Sequence, residues 1–292
     1  MHAALSSRDV YTDNGAVSRF EACMLDAVPL GRIGSLEVRL ARNEAEIAAA
    51  QKVRYRVFHG ELGASGGGFT GPEEHDADRF DAACDHLLVF DTALPGPEHH
   101  RIVGTYRLLR QEVADRCGGF YSDGEFELKQ LTRRHPDQCF LELGRSCVLP
   151  EYRSKRTIEV LWQGIWAYVT HHGIGVMTGC ASFPGTQPAR HAQALSCLAY
   201  DFRARPAWDV QAVAARYTAM DLMPRHAVDT RAAIAAMPPL IKGYLRLGAR
   251  IGDGCVVDPD FGTVDVFIVL PVAEIAARYI SYYSAGADHV AA

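Results

Sequence analysis

The stretch FLELGRSCVLPEYRSKRTIEVLWQGIWAYV, residues 140–169, decides the fold. Its first part has the apolar pattern of a strand that also contains Glu142 and Arg145, and its last part is apolar at helical spacing. Moving an ion out of water is costly, so charged residues inside such a strand are expected to have a specific role. Backbone N–H groups at a helix start can hold a phosphate. The strand, turn and helix together therefore predict an acid or base beside a phosphate site.

The composition is that of an ordinary globular protein. The chain has 292 residues, of which 48% are hydrophobic and 22% charged, and its net charge of -5 argues against nucleic acid as the main partner. Its eight cysteines include no CxxC pair, so we expect reduced thiols in the cytoplasm. No apolar run reaches the length of a transmembrane helix, so we expect any membrane contact to be peripheral.

Strand and helix signals alternate along the chain, as in an α/β sheet flanked by helices. We predict strands in SLEVRLARN, DHLLVFD, RIVGTYRLLR, FLELGRSCV and VMTGCASF, and a last hairpin from GCVVD to TVDVFIVLPV. Helices are predicted in EAEIAAAQKVRYRVFHGEL, from Thr157 to about His171, and in MPPLIKGYLRLGA. The stretch from Pro188 to Met237 is predicted to be helical with breaks at Pro206 and Pro224. GASGGGFTGP is predicted to be a loop that closes over a ligand. We predict a mobile leader at 1–35, one domain at 36–284 and a tail at 285–292.

The order of several motifs resembles a known family. RYRVFHGELG, FDAACDHLLVFD, VGTYRLL, GGFYSDGEFEL, ELGRSCV, GCASF and PPLIKGYLRLGA resemble the bacterial L-ornithine N-alpha-acyltransferases, and the resemblance spans residues 36–283. It implies the GCN5-related N-acyltransferase (GNAT) fold, a mixed and mostly antiparallel central sheet with splayed central strands, flanked by helices. It also implies a single acyltransferase domain.

The resemblance implies a reaction as well. A (3-hydroxy)acyl chain moves from acyl carrier protein to the alpha-amine of L-ornithine, which gives lyso-ornithine lipid. No cofactor is bound permanently, and the acyl-phosphopantetheine of the carrier protein is a co-substrate. The resemblance implies that the protein is located in the cytoplasm, with peripheral contact at the inner membrane. The gap between the splayed strands is expected to admit the pantetheine arm and to point a backbone N–H at the thioester oxygen.

Acyl transfer to an amine requires a base, because an alpha-amine is largely protonated at neutral pH. We predict that Glu142 takes the proton, directly or through a water, since burial makes a carboxylate hold protons more strongly. Strict alternation puts Glu142 and Arg145 on opposite faces of the strand. We therefore predict a β-bulge at Gly144 that brings both to one side and splays the strand from VMTGCASF. The alternative is a buried Glu142–Arg145 ion pair that only fixes the strand.

The turn YRSKRT differs from the phosphate loop of the general fold, Q/R-x-x-G-x-G/A. Arg153 matches the first position, whereas Arg156 and Ile158 stand where glycines are expected. We therefore predict that Arg153, Lys155 and Arg156 bind the phosphopantetheine phosphate or acidic side chains of the carrier protein. The alternative is a solvated basic turn.

Four residues are predicted to form the substrate pocket. Helical spacing puts Arg54 and Phe58 on one face of RYRVFHGE, although a surface Arg beside a core Phe is an equal alternative. Arg107 is a cation inside an apolar strand and is predicted to pair with Asp81, Asp85 or a substrate carboxylate.

The delta-amine of ornithine needs an anion. Asp76, Asp78 and Asp81, beside the Gly-rich stretch, are the candidates. For each of them alone, a surface acidic run is the simpler interpretation.

We predict no metal site, because His99-His100 and His171-His172 lack the i, i+4 spacing that turns two imidazoles toward one ion. The chain has no GxSxG elbow, and Cys147 is interpreted as a small buried side chain, so direct transfer is preferred over a covalent enzyme intermediate. Two other functions remain: an acyl-homoserine-lactone-type signal synthase, and a non-catalytic module that binds acyl carrier protein or lipid. PPLIKGYLRLGA and the chain length favour the lipid enzyme over the synthase, and only an assay separates it from the module.

Overall fold

A mixed sheet forms the centre of the computed structural model, which describes residues 28–64 and 74–288, with side chains as far as Tyr283. Its strands are β1 (Gly31–Ile33), β2 (Leu36–Leu40), β3 (Asp85–Asp91), β4 (Ile102–Arg110), β5 (Phe140–Val148), β6 (Val176–Pro184), β7 (Arg250–Asp258) and β8 (Thr263–Pro271). Their order is β1-β2-β3-β4-β5-β6-β8-β7. Every neighbouring pair is antiparallel except β5 and β6. The predicted mixed, mostly antiparallel sheet is confirmed.

Helices lie on both faces of this sheet. They are α1 (Glu44–Tyr55), α2 (Gln111–Arg116), α3 (Leu128–Arg134), α4 (Lys155–His171), α5 (Ala192–Asp201), α6 (Thr230–Ala236), α7 (Pro239–Leu247) and α8 (Ala277–Asp288). A π-helical turn, Arg56–Glu61, continues α1. The predicted long helix after β5 is thus α4, and its start is capped by Ser154, whose side chain accepts the N–H of Thr157.

Burial on both faces explains why the centre of β3, residues 87–90, is apolar. Leu87 packs in the core that contains α4, whereas Leu88 packs with Val53 and Val57 of α1 and its continuation. Because neighbouring strand residues point to opposite faces, α4 and α1 cover opposite sides of the sheet. Gly164 lets α4 approach closely, since an added Cβ would lie 2.8 Å from Val38.

The parallel pairing of β5 and β6 is short. It joins Phe140–Glu142 to Val176–Thr178 and ends there, so the two strands separate just after Glu142. At the branch, Gly179 allows close approach, because an added Cβ would lie 2.3 Å from the carbonyl oxygen of Leu143. The predicted splay between these strands is therefore present.

An extra residue in β5 marks the predicted bulge. Arg107 of β4 lies opposite Gly144, and Thr105, two residues earlier, lies opposite Cys147, so β5 takes three steps where β4 takes two. The residue in the left-handed region is Arg145, with a φ of 50°, rather than Gly144. The predicted bulge is therefore present.

Some predicted boundaries differ from the structure. β1 lies inside the predicted leader, so the sheet begins before residue 36, and residues 1–27 lie outside the described part. α8 extends to Asp288, past the predicted domain end at 284. Most of the predicted ligand-closing loop, residues 65–73, also lies outside the described part.

The stretch 188–237 contains less helix than predicted. Only α5 and α6 are α-helical in it, and residues between them form isolated bridges to β7, Gln211 with Asp253 and Thr218 with Cys255. Pairing with the sheet here overrides a composition that favours helix.

Candidate active site

A cleft opens where β5 and β6 part. Its volume is about 270 Å³, and the predicted catalytic pair Glu142 and Arg145 both line it. A larger depression of about 580 Å³ lies beside Arg203 and Asp209 and contains none of the predicted site residues. We therefore place the candidate site in the smaller cleft. Its other polar walls are Tyr121, Ser122, Ser146, Cys180, Ser182, Asp258, Thr263 and Asp265, and its apolar walls include Phe58, Leu62, Leu240 and Phe261.

Glu142 is 3% exposed, and three donors hold its carboxylate. Its oxygens accept the N–H of Tyr121 at 2.7 Å and the N–H of Ser122 at 2.9 Å, and they also accept the Ser122 hydroxyl. Burial raises the pKa of Glu142 above its ordinary value, although the Ser122 and Tyr121 donors work in the opposite direction. The result is a carboxylate in fixed orientation that binds a proton more strongly than an exposed glutamate does.

Arg145 lies between two aromatic rings of the cleft. Its guanidinium carbon is 4.8 Å from the centre of the Tyr121 ring and 4.6 Å from that of Phe261. It pairs with Asp76 at 3.2 Å and with Asp78 at 3.1 Å, and not with Glu142. The alternative of a Glu142–Arg145 ion pair is therefore wrong. A left-handed arginine costs roughly 1–2 kcal/mol, and such strain is characteristic of functional sites.

Three predicted pocket residues lie behind the cleft in a buried ion-pair cluster. Arg54 is 0% exposed; it pairs with Asp76 and Asp81, each at 2.7 Å. Arg107 pairs with Asp78 at 2.6 Å and with Asp81 at 3.4 Å. Burial works to raise the pKa of Asp81, but the hydrogen bond and charge of Arg54 outweigh it and bring that pKa well below its ordinary range.

This cluster corrects two expectations. Of the four predicted pocket residues, Phe58 lines the cleft, whereas Arg54, Asp81 and Arg107 bind one another and the neighbouring aspartates. Asp76, Asp78 and Asp81 are likewise each paired with arginine, because tertiary folding brings three arginines against them. None of these three aspartates is among the residues that line the cleft.

The predicted donor-binding residues lie at the surface where β5 leads into α4. Arg153 forms a two-pronged ion pair with Glu61, at 2.6 and 2.5 Å. Lys155 is 88% exposed and lies 3.4 Å from Glu159, and Arg156 is also exposed. Lys155 and Arg156 are therefore accessible to a partner, whereas Arg153 already holds a carboxylate.

A second acidic group, not singled out from the sequence, lies at the same cleft, where two of its three members, Asp258 and Asp265, line the wall. Glu125, Asp258 and Asp265 are buried, and one carboxylate oxygen of each lies within 4.8 Å of the others. Burial, and next the charge of Asp265, raises the pKa of Glu125 to about 7. Asp265 interrupts an apolar strand as Glu142 does, so the same criterion applied to TVDVFIVLPV would have identified it.

None of the helices in the described ranges combines the length and the apolar character that crossing a bilayer requires.

Comparison with known proteins identifies the class. Residues 53–163, which include the end of α1, all of β3, β4 and β5 and the start of α4, match the family described as "Acetyltransferase (GNAT) domain". This agrees with a mixed sheet whose parallel strands part beside a buried glutamate. Residues 53–163 therefore match the GNAT class of acyltransferases.

Closer relatives define the family within that class. The chain is 60% identical to the L-ornithine N(alpha)-acyltransferase of Brucella abortus (strain 2308), over 90% of this chain and 94% of that protein. It is 56% identical to the enzyme of that name from Rhizobium meliloti (strain 1021), over 95% and 94%. Among solved structures it resembles FeeM, an N-acyl amino acid synthase from uncultured soil microbes, with a TM-score of 0.48 and 10% identity over 84% of this chain and 94% of FeeM. The chain belongs to the L-ornithine N(alpha)-acyltransferase family.

Proposed function

We propose that this chain transfers a (3-hydroxy)acyl group from the thioester of acyl carrier protein to the alpha-amine of L-ornithine, giving lyso-ornithine lipid. The observation that carries the proposal is Glu142, a buried carboxylate of fixed orientation where β5 and β6 part. The acceptor follows from the family, whose members named above are L-ornithine N(alpha)-acyltransferases. The lipid product leaves at the inner membrane, with which the protein makes peripheral contact.

The cleft supports direct transfer. The amine nitrogen attacks the thioester carbon, Glu142 accepts a proton from that nitrogen, the C–S bond breaks, and the departing thiolate takes up a proton. Beyond Glu142, β5 no longer pairs with β6, so N–H groups on that edge can stabilise the negative oxygen of the intermediate. The pantetheine arm enters through the same gap.

The choice of donor rests on the turn before α4. Arg156 and Ile158 occupy positions where a coenzyme A phosphate loop has glycines, and both are exposed. Purified protein should therefore acylate ornithine far more efficiently with 3-hydroxyacyl carrier protein than with the matching acyl-coenzyme A. Rates at equal thioester concentration, with the product identified by mass spectrometry, measure this. Equal rates would contradict the donor, and a missing N-acyl-ornithine with both thioesters would contradict the acceptor.

A charge-reversal experiment locates the docking surface of the carrier protein. Exposed ion pairs are screened by salt, with a Debye length of about 10 Å at 0.1 M. Reversing the exposed Lys155 and Arg156 to Glu should raise the KM for acyl carrier protein roughly tenfold at low salt and leave the KM for ornithine unchanged. The difference should shrink as salt increases.

The matched control is the double reversal of Arg246 and Arg250, two exposed cations at the end of α7 and the start of β7. It should leave the KM for the carrier protein unchanged. If this control raised that KM and the Lys155 and Arg156 reversal did not, the carrier would dock at the α7 surface instead.

A further inference from the structure

The cleft that contains Glu142 also contains more carboxyl groups than cations. Asp258 at the end of β7 and Asp265 on β8 line it, and Glu125 lies beside them, with carboxylate oxygens of the three within 4.8 Å of one another. We call these residues the acidic triad. The nearest cation described is Arg216, 3.1 Å from Glu125. One arginine faces three carboxylates, so the triad is not neutralised within the described part of the chain.

Asp265 is the member with one carboxylate oxygen that lacks a partner. It is 5% exposed, it lines the cleft, and its Oδ1 has no hydrogen-bond partner among the described residues. Asp258, by contrast, uses one oxygen to accept the N–H groups of Asp260 and Phe261 at 2.8 and 3.1 Å. A buried carboxylate oxygen without a donor is unfavourable. Asp265 is therefore suited to a ligand that brings both a positive charge and N–H donors.

The triad lies close to Glu142. The Ser122 hydroxyl donates to Glu142, its oxygen is 3.3 Å from the Cys180 sulfur, and the Cys180 thiol donates to Glu125 at 3.4 Å. Two small side chains therefore separate the candidate base from the triad. Because Glu142 and Asp265 line the same cleft, an amino acid with its alpha-amine at Glu142 could extend its side chain to Asp265.

We propose that Asp265, with Glu125 and Asp258, binds the side-chain ammonium of the acceptor and thereby selects a diamino acid over neutral amino acids. This inference rests on the proposed function, because it assigns the acceptor's second amine to the same cleft. Asp76, Asp78 and Asp81 do not serve this role, since each is paired with arginine outside the cleft lining.

The test compares ornithine with norvaline, the analogue of equal chain length that lacks the side-chain amine. With wild-type protein and one acyl donor, kcat/KM for ornithine should exceed that for norvaline by at least about a hundredfold, since a site built for a polar group rejects an analogue without it. In Asp265→Asn the ratio should fall below about tenfold. Asp253→Asn is the control, because Asp253 lies on β7 like Asp258 but pairs with Arg203 away from the cleft. It should keep the wild-type ratio.

Folding of the variant is checked separately. Burial raises the pKa of Asp265, although Ser182 and Thr263 oppose the effect, so its ionised form is held unfavourably in the empty protein. Asp265→Asn should therefore melt at the same temperature as wild type or higher at pH 8. Ornithine at saturating concentration should raise the melting temperature of wild type and not that of Asp265→Asn.

The outcomes separate this inference from the proposed function. If wild type acylates neither amino acid, the proposed function fails. If wild type acylates ornithine and norvaline equally, or if Asp265→Asn keeps the wild-type ratio, the assignment of the triad is overturned while the acyltransferase function stands.

A metal ion in the triad is tested separately. Removal of divalent ions with EDTA should leave the ratio of kcat/KM for ornithine to that for norvaline unchanged. Loss of selectivity with EDTA and its return with Mn²⁺ would identify the triad as a metal site instead.

Discussion

Glu142→Gln is expected to lower kcat about a hundredfold or more, the usual contribution of a general base. The N–H groups of Tyr121 and Ser122 donate to different oxygens of Glu142, and the amide of glutamine keeps one oxygen that can accept one of them. Glutamine has nearly the size and shape of glutamate, so the protein should stay folded. The amide has no basic oxygen that can take a proton from the attacking amine. Steady-state rates with saturating donor and ornithine measure the loss, and circular dichroism checks that the variant is folded.

The control is Glu112→Gln, the same substitution at an exposed glutamate of α2, which should keep wild-type turnover. Near-normal turnover of Glu142→Gln would make Glu142 structural. The base would then have to be sought at Glu125, whose pKa is raised to about 7 and which is linked to the cleft through Cys180.

The pH dependence follows from the same group. Burial raises the pKa of Glu142, so proton uptake that inactivates the base begins at a higher pH than for an exposed glutamate. As a base, Glu142 must be ionised, and kcat/KM should therefore fall as the pH decreases through this raised pKa. In Glu142→Gln that acidic limb should disappear from the profile of the residual activity.

Long and strongly patterned elements could be predicted from the sequence. DHLLVFD, bounded by charged and turn residues, is β3 from Asp85 to Asp91 as predicted, and α4 starts two residues before the predicted Thr157. β1 has three residues, too few to show a period. The residues between α5 and α6 have local preferences for helix. Their bridges to β7 override those preferences.

The parts of the candidate site that could be predicted are those where a single residue departs from the pattern around it. A charge in an apolar strand identified Glu142, and the expected bulge placed Arg145 in the same cleft. The partners of Glu142 lie on a turn about 20 residues earlier, at Tyr121 and Ser122. Nothing in the spacing of those two residues connects them to β5, because the contact depends on how the turn packs over the sheet.

The acidic triad shows more clearly what local sequence patterns cannot predict. Glu125 comes from the turn before α3, whereas Asp258 and Asp265 come from the last hairpin, more than a hundred residues later. They meet because β8 pairs with β6 and so places the C-terminal hairpin beside the gap. Strand order, rather than any local pattern, creates this part of the site.

Arg54→Ala is expected to lower the free energy of unfolding by about 3–5 kcal/mol, the cost of breaking a buried ion pair by removing one partner. Arg54 is 0% exposed, and its guanidinium serves Asp76 and Asp81 at 2.7 Å each. Without it, two buried carboxylates lose their main counter-charge, and water cannot easily replace it. Urea unfolding followed by circular dichroism measures the change. Arg56→Ala, two residues later and exposed, should change the free energy by no more than about 0.5 kcal/mol, and equal effects of the two substitutions would contradict the structural role.

Acid unfolding of the wild-type protein should also depend on the ion pair between Arg54 and Asp81. The pKa of Asp81 is lowered in the folded state, where burial is outweighed by Arg54, so the stability it contributes is present above the unfolded pKa, near 3.8, and is lost as the pH falls below it. Arg54→Ala removes the main cause of the lowering and leaves Arg107 and His86, so the pKa of Asp81 should rise. The variant should therefore unfold at a higher pH than wild type.

Because Asp76 holds both Arg54 and Arg145, the change should also loosen Arg145 in the cleft. The activity of Arg54→Ala should consequently fall at pH values where it is still folded.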